Sequence, residues 1–223
     1  MTTATTLLEL LSTHTANSSA LVTSHAGSLN FEALRTLIDN TVSALNARGI
    51  GRRERVAIAL PYGPEFVGCL LSISCGSTCV PLNPNDNRKS LETYLQEFNI
   101  NALVVEKGST SEAVSAAQAT DTEVLETISH AADPIGTFQF SGAASGKRAS
   151  HGGIADSEDV AMIIDTGNNG KSNMIGLSHY ELVKCATEHK DTIASKSQPV
   201  FHISGLISTV LAPLAAGNQL VFS

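Results

Sequence analysis

"MIIDTGNNGKSNMIGLSH", residues 162–179, decides how this chain is read. The apolar residues Met162, Ile163 and Ile164 run into a polar stretch of glycines and asparagines, and that stretch leads to a helix start. Ser178 and Glu181 mark the start, spaced as a capping box in which hydroxyl and carboxylate each take a free backbone amide. Strand, glycine-bearing loop and helix in this order form the place where an α/β protein holds phosphate, because the loop's N–H groups can converge on an anion. Glycine and asparagine also make a good turn unaided, since both tolerate positive φ. Two readings therefore stand on these residues: a nucleotide loop around Lys171, or a retained turn that holds no ligand.

Outward from this stretch, helix and strand signals alternate. Asn30 is placed to cap a helix over 31–47, whose residues Phe31, Leu34, Leu37, Ile38, Val42 and Leu45 share one face. Gly49 stops it. Residues 55–60 form a nearly continuous apolar run, as a buried parallel strand requires. A helix over 65–74, a strand over 78–82, a helix over 88–98 and a strand over 102–105 follow. A short helix at 112–119 and a strand at 123–125 come next. Residues 129–158, rich in Ser, Gly, Ala and Asp, read as an irregular surface loop or crossover. A strand at 159–164, a helix from the Ser178 cap to about 191, a helix at 205–216 and a strand at 219–222 complete the chain. The expected fold class is α/β, a mostly parallel sheet flanked by helices. Ligands in such sheets sit beyond the carboxyl ends of the strands, which is where the opening loop lies.

Composition narrows the function classes. The 223 residues suffice for one large domain. A net charge of −7, 4% aromatic residues and no tryptophan argue against a nucleic-acid partner. No apolar run is long enough to cross a bilayer, and the first residues do not read as a signal peptide, so a cytoplasmic setting is expected. Cys69, Cys75, Cys79 and Cys185 lack metal-ligand spacing and read as small buried hydrophobes. Asp156, Glu158 and Asp159, with His151 nearby, read as a solvated loop rather than a metal site. No metal ligands are assigned, and no nucleophile–base arrangement stands out.

Several segments together resemble the front half of the adenylate-forming (AMP-binding) superfamily, which includes acyl-CoA synthetases, luciferases and peptide-synthetase adenylation domains. They are SLNFEALRTLIDNTVSALNARGI, RVAIALPYGPEFVGCLLSISCGSTCVPLNP, NALVVEKG, the opening loop, and FHISGLISTVLAPLAAGNQLVFS, in the family's order. The PLNP and FHIHGL-type segments are most similar to oxalate and other small-acid CoA ligases. The family's loop typically reads TSGTTGKPKG, followed by LSH. Here Thr166, Gly167, Gly170 and Lys171 match, with Leu177, Ser178 and His179 behind them. One small residue after Thr166 is missing, two threonines are replaced by Asn168 and Asn169, and the proline and second lysine by Ser172 and Asn173. Losing one charge-assisted contact to a phosphate costs roughly 1.5–3 kcal/mol, so the loop reads as degraded.

The resemblance implies ATP and magnesium as the reaction's requirements and ATP-dependent activation of a small carboxylic acid to an acyl-adenylate, then to a CoA thioester. It implies a phosphate loop of Thr166, Gly167, Asn168, Asn169, Gly170 and Lys171, with Lys171 at the β and γ phosphates and His202 bordering the acyl pocket. Ser204 stands where the family has its second histidine, and the segment between His179 and Phe201 is several residues shorter than usual. Relatives continue for at least the same length again, through adenine, ribose and magnesium motifs and a small C-terminal lid domain. The chain is accordingly expected to be a partial N-terminal AMP-binding domain over 1–223, lacking that lid and inactive alone. A half of a split ligase, and a binding module or new activity on the same scaffold, are the alternatives. Without the cover of a full domain, its strand edge at 219–222 is expected to drive self-association or to take a protein partner.

Overall fold

The computed structural model describes residues 4–24, 27–144, 146–167, 173–190 and 200–223. Helix α1 (Leu7–Ser12) opens on a capping box between Thr6 and Glu9. Strands β1 (Ser19–Thr23) and β2 (Gly27–Asn30) follow. Then α2 (Phe31–Asn46) starts where Asn30 accepts the Ala33 amide at 2.8 Å.

Next come β3 (Arg55–Ile58), α3 (Pro64–Ser74), β4 (Thr78–Pro81), α4 (Arg88–Glu97), β5 (Ala102–Glu106), α5 (Glu112–Ala119) and β6 (Glu123–Ile128). A crossover carries the two-residue β7 (Gln139–Phe140) and leads to β8 (Val160–Asp165). Strand β9 (Met174–Ser178) precedes α6 (His179–Glu188). The chain closes with α7 (Ile203–Leu206), a π-helical stretch (Ile207–Leu211), α8 (Ala212–Ala215) and β10 (Leu220–Phe222).

Seven strands form the main sheet in the order β7-β6-β5-β3-β4-β8-β9. The inner strands pair in parallel, and β7 and β9 close the two sides antiparallel. Parallel strands must be covered on both faces. Alternate residues of the same strands accordingly enter two separate apolar clusters: Val56 and Ile58 pack with α2, α3 and α6, while Ala57 packs with α4 and α5. A second sheet, β10-β1-β2, joins strands from opposite ends of the chain through a parallel pairing of Leu21 with Leu220.

Most expected elements are present within a residue or two, and α5 has the expected bounds. Four differences have physical causes. Strand β9 lies within the segment read as a loop running into a helix. Its burial is weak and its Gly176 is exposed, so it carries little apolar pattern and exists because β8 supplies a partner. The irregular 129–158 segment is a packed crossover more than a surface loop. Arg48 donates to the Gly142 carbonyl at 3.0 Å and stacks 5.5 Å over Phe140, and Ile135, Phe138 and Ala155 are buried. Helix α1 and the β1–β2 pair were not read from the sequence, although α1 carries its own capping box; the pairing of the expected strand β10 with β1 joins opposite ends of the chain and leaves no local pattern. The helix expected at 205–216 contains a π turn instead of running as α-helix throughout.

The acidic residues of the crossover face a cation: Arg52 pairs with Asp156 and reaches Asp159 at 3.3 Å. Cys69, Cys75 and Cys79 are buried, and burial pushes the Cys75 and Cys79 thiols up to about 12, so they are unreactive at neutral pH. The expected self-association surface includes β10, on which Val221 is 69% exposed.

Two close approaches hold the layers together. A Cβ placed on Gly68 of α3 would lie 2.0 Å from the carbonyl oxygen of Gly136, so the crossover sits directly on the helix backbone. His179, the first residue of α6, is 1% exposed, and its Nδ1 accepts the Leu7 amide at 3.2 Å, tying α6 to α1. Its Nε2 lies near the Ser74 carbonyl without good hydrogen-bond geometry. Burial lowers the imidazole to about 4, against the smaller opposing effects of Ser74, Asp159 and Asp156.

Gly68→Ala is expected to destabilise the fold by about 2 kcal/mol or more, because backbone must move to admit the methyl group; the urea midpoint measures this. For His179 the folded state holds the proton less tightly than the unfolded one. Stability is therefore full above about pH 6.5, falls as the pH drops toward about 4, and levels off below. The contribution is up to roughly 3 kcal/mol, and unfolding curves across this range should lose that dependence in His179→Gln.

Candidate functional site

Strand β8 runs parallel to β4 and delivers Asp165 at the carboxyl end of the sheet. The turn that follows is closed from both sides. The Thr166 amide and hydroxyl both donate to the Asn173 carbonyl at 2.8 Å, and Asn173 Nδ2 returns a bond to the Thr166 hydroxyl at 2.9 Å. Asp165 Oδ1 accepts two backbone amides, from Gly167 at 2.7 Å and from Asn173 at 2.8 Å. One carboxylate oxygen thus bridges the outgoing and returning arms.

His202 approaches from another part of the chain. Its backbone forms a parallel bridge with Asp165, extending the sheet edge locally. It also caps α7: Nδ1 accepts the Ser204 amide at 3.2 Å and lies 2.8 Å from the Ser204 hydroxyl. With Nδ1 accepting, the neutral ring carries its proton on Nε2. Nε2 therefore donates to the Gly167 carbonyl at 3.0 Å, latching the base of the loop to the start of α7.

Of the residues expected at the site, Thr166, Gly167 and His202 lie together. Asn168, Asn169, Gly170 and Lys171 lie outside the described residues. Asp165 was missed, because it reads as the polar end of a strand. The available signal was its spacing: a carboxylate two residues before a glycine amide is an Asx-turn position. Asp86 was missed as well. Burial raises its carboxyl above the ordinary value, a hydrogen bond from Asn83 at 3.0 Å opposes this, and the charge of Asp165 adds to the rise. Among the described residues, no three His, Cys, Asp or Glu side chains gather as a metal site.

A cleft of about 420 Å³ opens at the same end of the sheet, walled by Pro61, Tyr62, Pro84, Asn85, Glu106 and Phe201. Phe201 precedes His202 and packs edge-on against Phe66 of α3 at 5.4 Å. The cleft and the latched loop are therefore anchored by adjacent residues. A cleft of this size with a largely apolar wall suits a small molecule.

Comparison with known proteins agrees with this architecture. The Humulus lupulus protein described as "Probable CoA ligase CCL9" is 25% identical over 209 residues, covering 89% of this chain and 40% of that protein. The oxalate–CoA ligase of Saccharomyces cerevisiae is 27% identical over 217 residues, covering 84% of this chain and 40% of its own. The chain thus spans about 40% of the length of these two relatives. The structure of ATP-bound MatB from Rhodopseudomonas palustris superposes with a TM-score of 0.73 at 20% identity, over 98% of this chain and 45% of that one, which establishes a shared fold. With residues 11–223 matching the family described as AMP-binding enzyme, this chain belongs to that family.

Proposed function

We propose that these residues form the phosphate-loop portion of the large domain of an ATP-dependent carboxylic acid–CoA ligase, partial over 1–223, and that they do not complete the reaction unaided. The observation that carries this reading is the latched loop. A glycine-bearing turn stands at the carboxyl end of a parallel sheet, and His202, beside a small-molecule cleft, holds it through Gly167. The relatives named as CoA ligases, and MatB with ATP bound, support the reaction class.

In this chemistry a carboxylate oxygen attacks the α-phosphorus of ATP. The bond to the bridging oxygen breaks, and pyrophosphate leaves with its electron pair. The thiol sulfur of CoA then attacks the acyl carbon and AMP departs, the thiol proton passing to a base. ATP, as its magnesium complex, enters as substrate. The described residues hold and orient. The Thr166 hydroxyl stands at the mouth of the turn, and the His202 imidazole fixes Gly167 from outside. Lys171 supplies the positive charge for the terminal phosphates. Asn173 is engaged in closing the turn rather than in presenting a charge. A small acid next to His202 completes the arrangement, and a cytoplasmic setting matches the substrates.

Titration calorimetry with magnesium–ATP is expected to give weak binding by the 223-residue chain, made roughly tenfold weaker by Lys171→Ala through loss of a charge-assisted contact. Carboxylate-dependent ATP–pyrophosphate exchange by this polypeptide alone should be absent across a panel of small mono- and dicarboxylic acids; robust exchange would sink the proposal that it needs further groups. His202→Ala should speed hydrogen exchange of the amides at the loop base and cost about 1 kcal/mol of stability, as expected for one lost hydrogen bond and cap.

A further inference from the structure

One part of the sheet face under α4 and α5 is left open. Ile163 and Met174 pack with the apolar cluster on that face, as does Phe98 at the end of α4. Beyond Phe98 the cover thins: Val160 is 40% exposed, and Gly176 is exposed. A hollow of about 420 Å³ lies there, a size that holds a small molecule. It starts at Arg55, Thr78 and Val160, the first residues of β3, β4 and β8. Its floor follows the paired residues Ile163 and Gly176 to Met174. Among the described residues it shares no wall with the cleft at Phe201. We propose that this hollow binds an organic monoanion, with a carboxylate on Arg53 and Arg55 and an aryl or short alkyl body over Phe98, Val160, Ile163 and Met174. The inference does not rest on the phosphate-loop reading above.

The charge of the walls selects the head group. Arg52, Arg53 and Arg55 line the hollow, with Glu158 and Asp159 opposing them. Arg52 is engaged by Asp159 and, from outside the hollow, by Asp156. Arg55 is fixed from behind: its Nη1 donates to the Phe98 carbonyl at 2.7 Å, and its amide donates to Asn101 Oδ1 at 2.8 Å. A carbonyl does not neutralise a guanidinium, and the other N–H groups of Arg55 remain for a second acceptor. Arg53 is exposed and forms no ion pair or hydrogen bond among the described residues. A preset and an adjustable guanidinium together suit the two oxygens of a carboxylate. A polyanion is disfavoured, because Glu158 and Asp159 stand in the same walls. The rim is held by Thr78, whose hydroxyl donates to the Val160 carbonyl at 2.7 Å. The floor supplies the rest of the selectivity. Strand β8 is paired in parallel with β4, and apolar side chains on such a strand gain by being covered.

The probes are phenylacetate, its uncharged analogue phenylacetamide, acetate and inorganic pyrophosphate, titrated into the 223-residue chain and followed by NMR at low ionic strength. Phenylacetate is expected to shift the signals of Val160, Ile163, Met174 and Gly176, with a dissociation constant on the order of a millimolar or tighter. Phenylacetamide keeps the body and acetate keeps the charge; each should bind at least about tenfold more weakly. Pyrophosphate should not displace phenylacetate. Arg53→Gln should weaken phenylacetate roughly tenfold by removing one charge-assisted contact. Gly176→Val should abolish binding by filling the floor. A Cβ at that position meets Val160 at 3.4 Å and Ile163 at 4.0 Å, which is ordinary contact, so the fold admits it. Shifts confined to Phe201 and His202 place the acid in the cleft; they overturn this inference and leave the proposed function standing. Equal binding of phenylacetamide, displacement by pyrophosphate, or no shifts at all in the folded protein overturns it too. Should Gly176→Val melt early, Arg53→Gln, which alters an exposed side chain, decides the comparison.

Discussion

A parallel strand has no face to spare for water, and the rest of this molecule is arranged around that constraint. Its hydrogen bonds run sideways to neighbours and its side chains project to both faces, so each face needs a layer of helices. Val56 and Ile58 point to the cluster with α2, α3 and α6, and Ala57, between them, points to the cluster with α4 and α5. The strand order, with β5 and β4 on opposite sides of β3, follows from right-handed crossovers that place α3 on one face and α4 and α5 on the other. The carboxyl ends of the parallel strands then face one way, and both the turn after β8 and the cleft lie at that end.

The same economy governs the turn. It leaves the sheet at an acid, and that acid closes it. Asp165 serves as the last residue of β8 and as the acceptor for both arms, while His202 joins the turn to the helix that follows far along the chain. Side chains that the family resemblance casts as ligand contacts thus have structural work of their own. Thr166 is bonded to Asn173, and His202 caps α7 while holding Gly167. Binding chemistry and local architecture are carried by the same atoms, so a change in one alters the other.

Legibility varied with the range of the interaction. Helices α2, α4, α5 and α6 and strands β3, β4, β5 and β8 could be read because each carries its own apolar pattern, and α2 and α6 also carry the caps Asn30 and Ser178. Strand β9 could not. Three of its five residues are apolar, but Ile175 and Gly176 are exposed and only pairing with β8 defines it. Thr166, Gly167 and His202 are near one another, yet the contact between Gly167 and His202 spans 35 residues and leaves no local pattern.

The amino-acid sequence by itself determined the fold class, the family, the helix caps and the position of the turn at the ligand end of the sheet. These depend on periodicity, turn chemistry and residue order, which are properties of neighbours along the chain. Only the tertiary structure decided that β10 pairs with β1, that His179 accepts an amide from α1, and that Asp165 accepts the amides of both Gly167 and Asn173. Each joins groups whose partners are chosen by packing, because hydrogen-bond direction and burial exist only once the layers have closed.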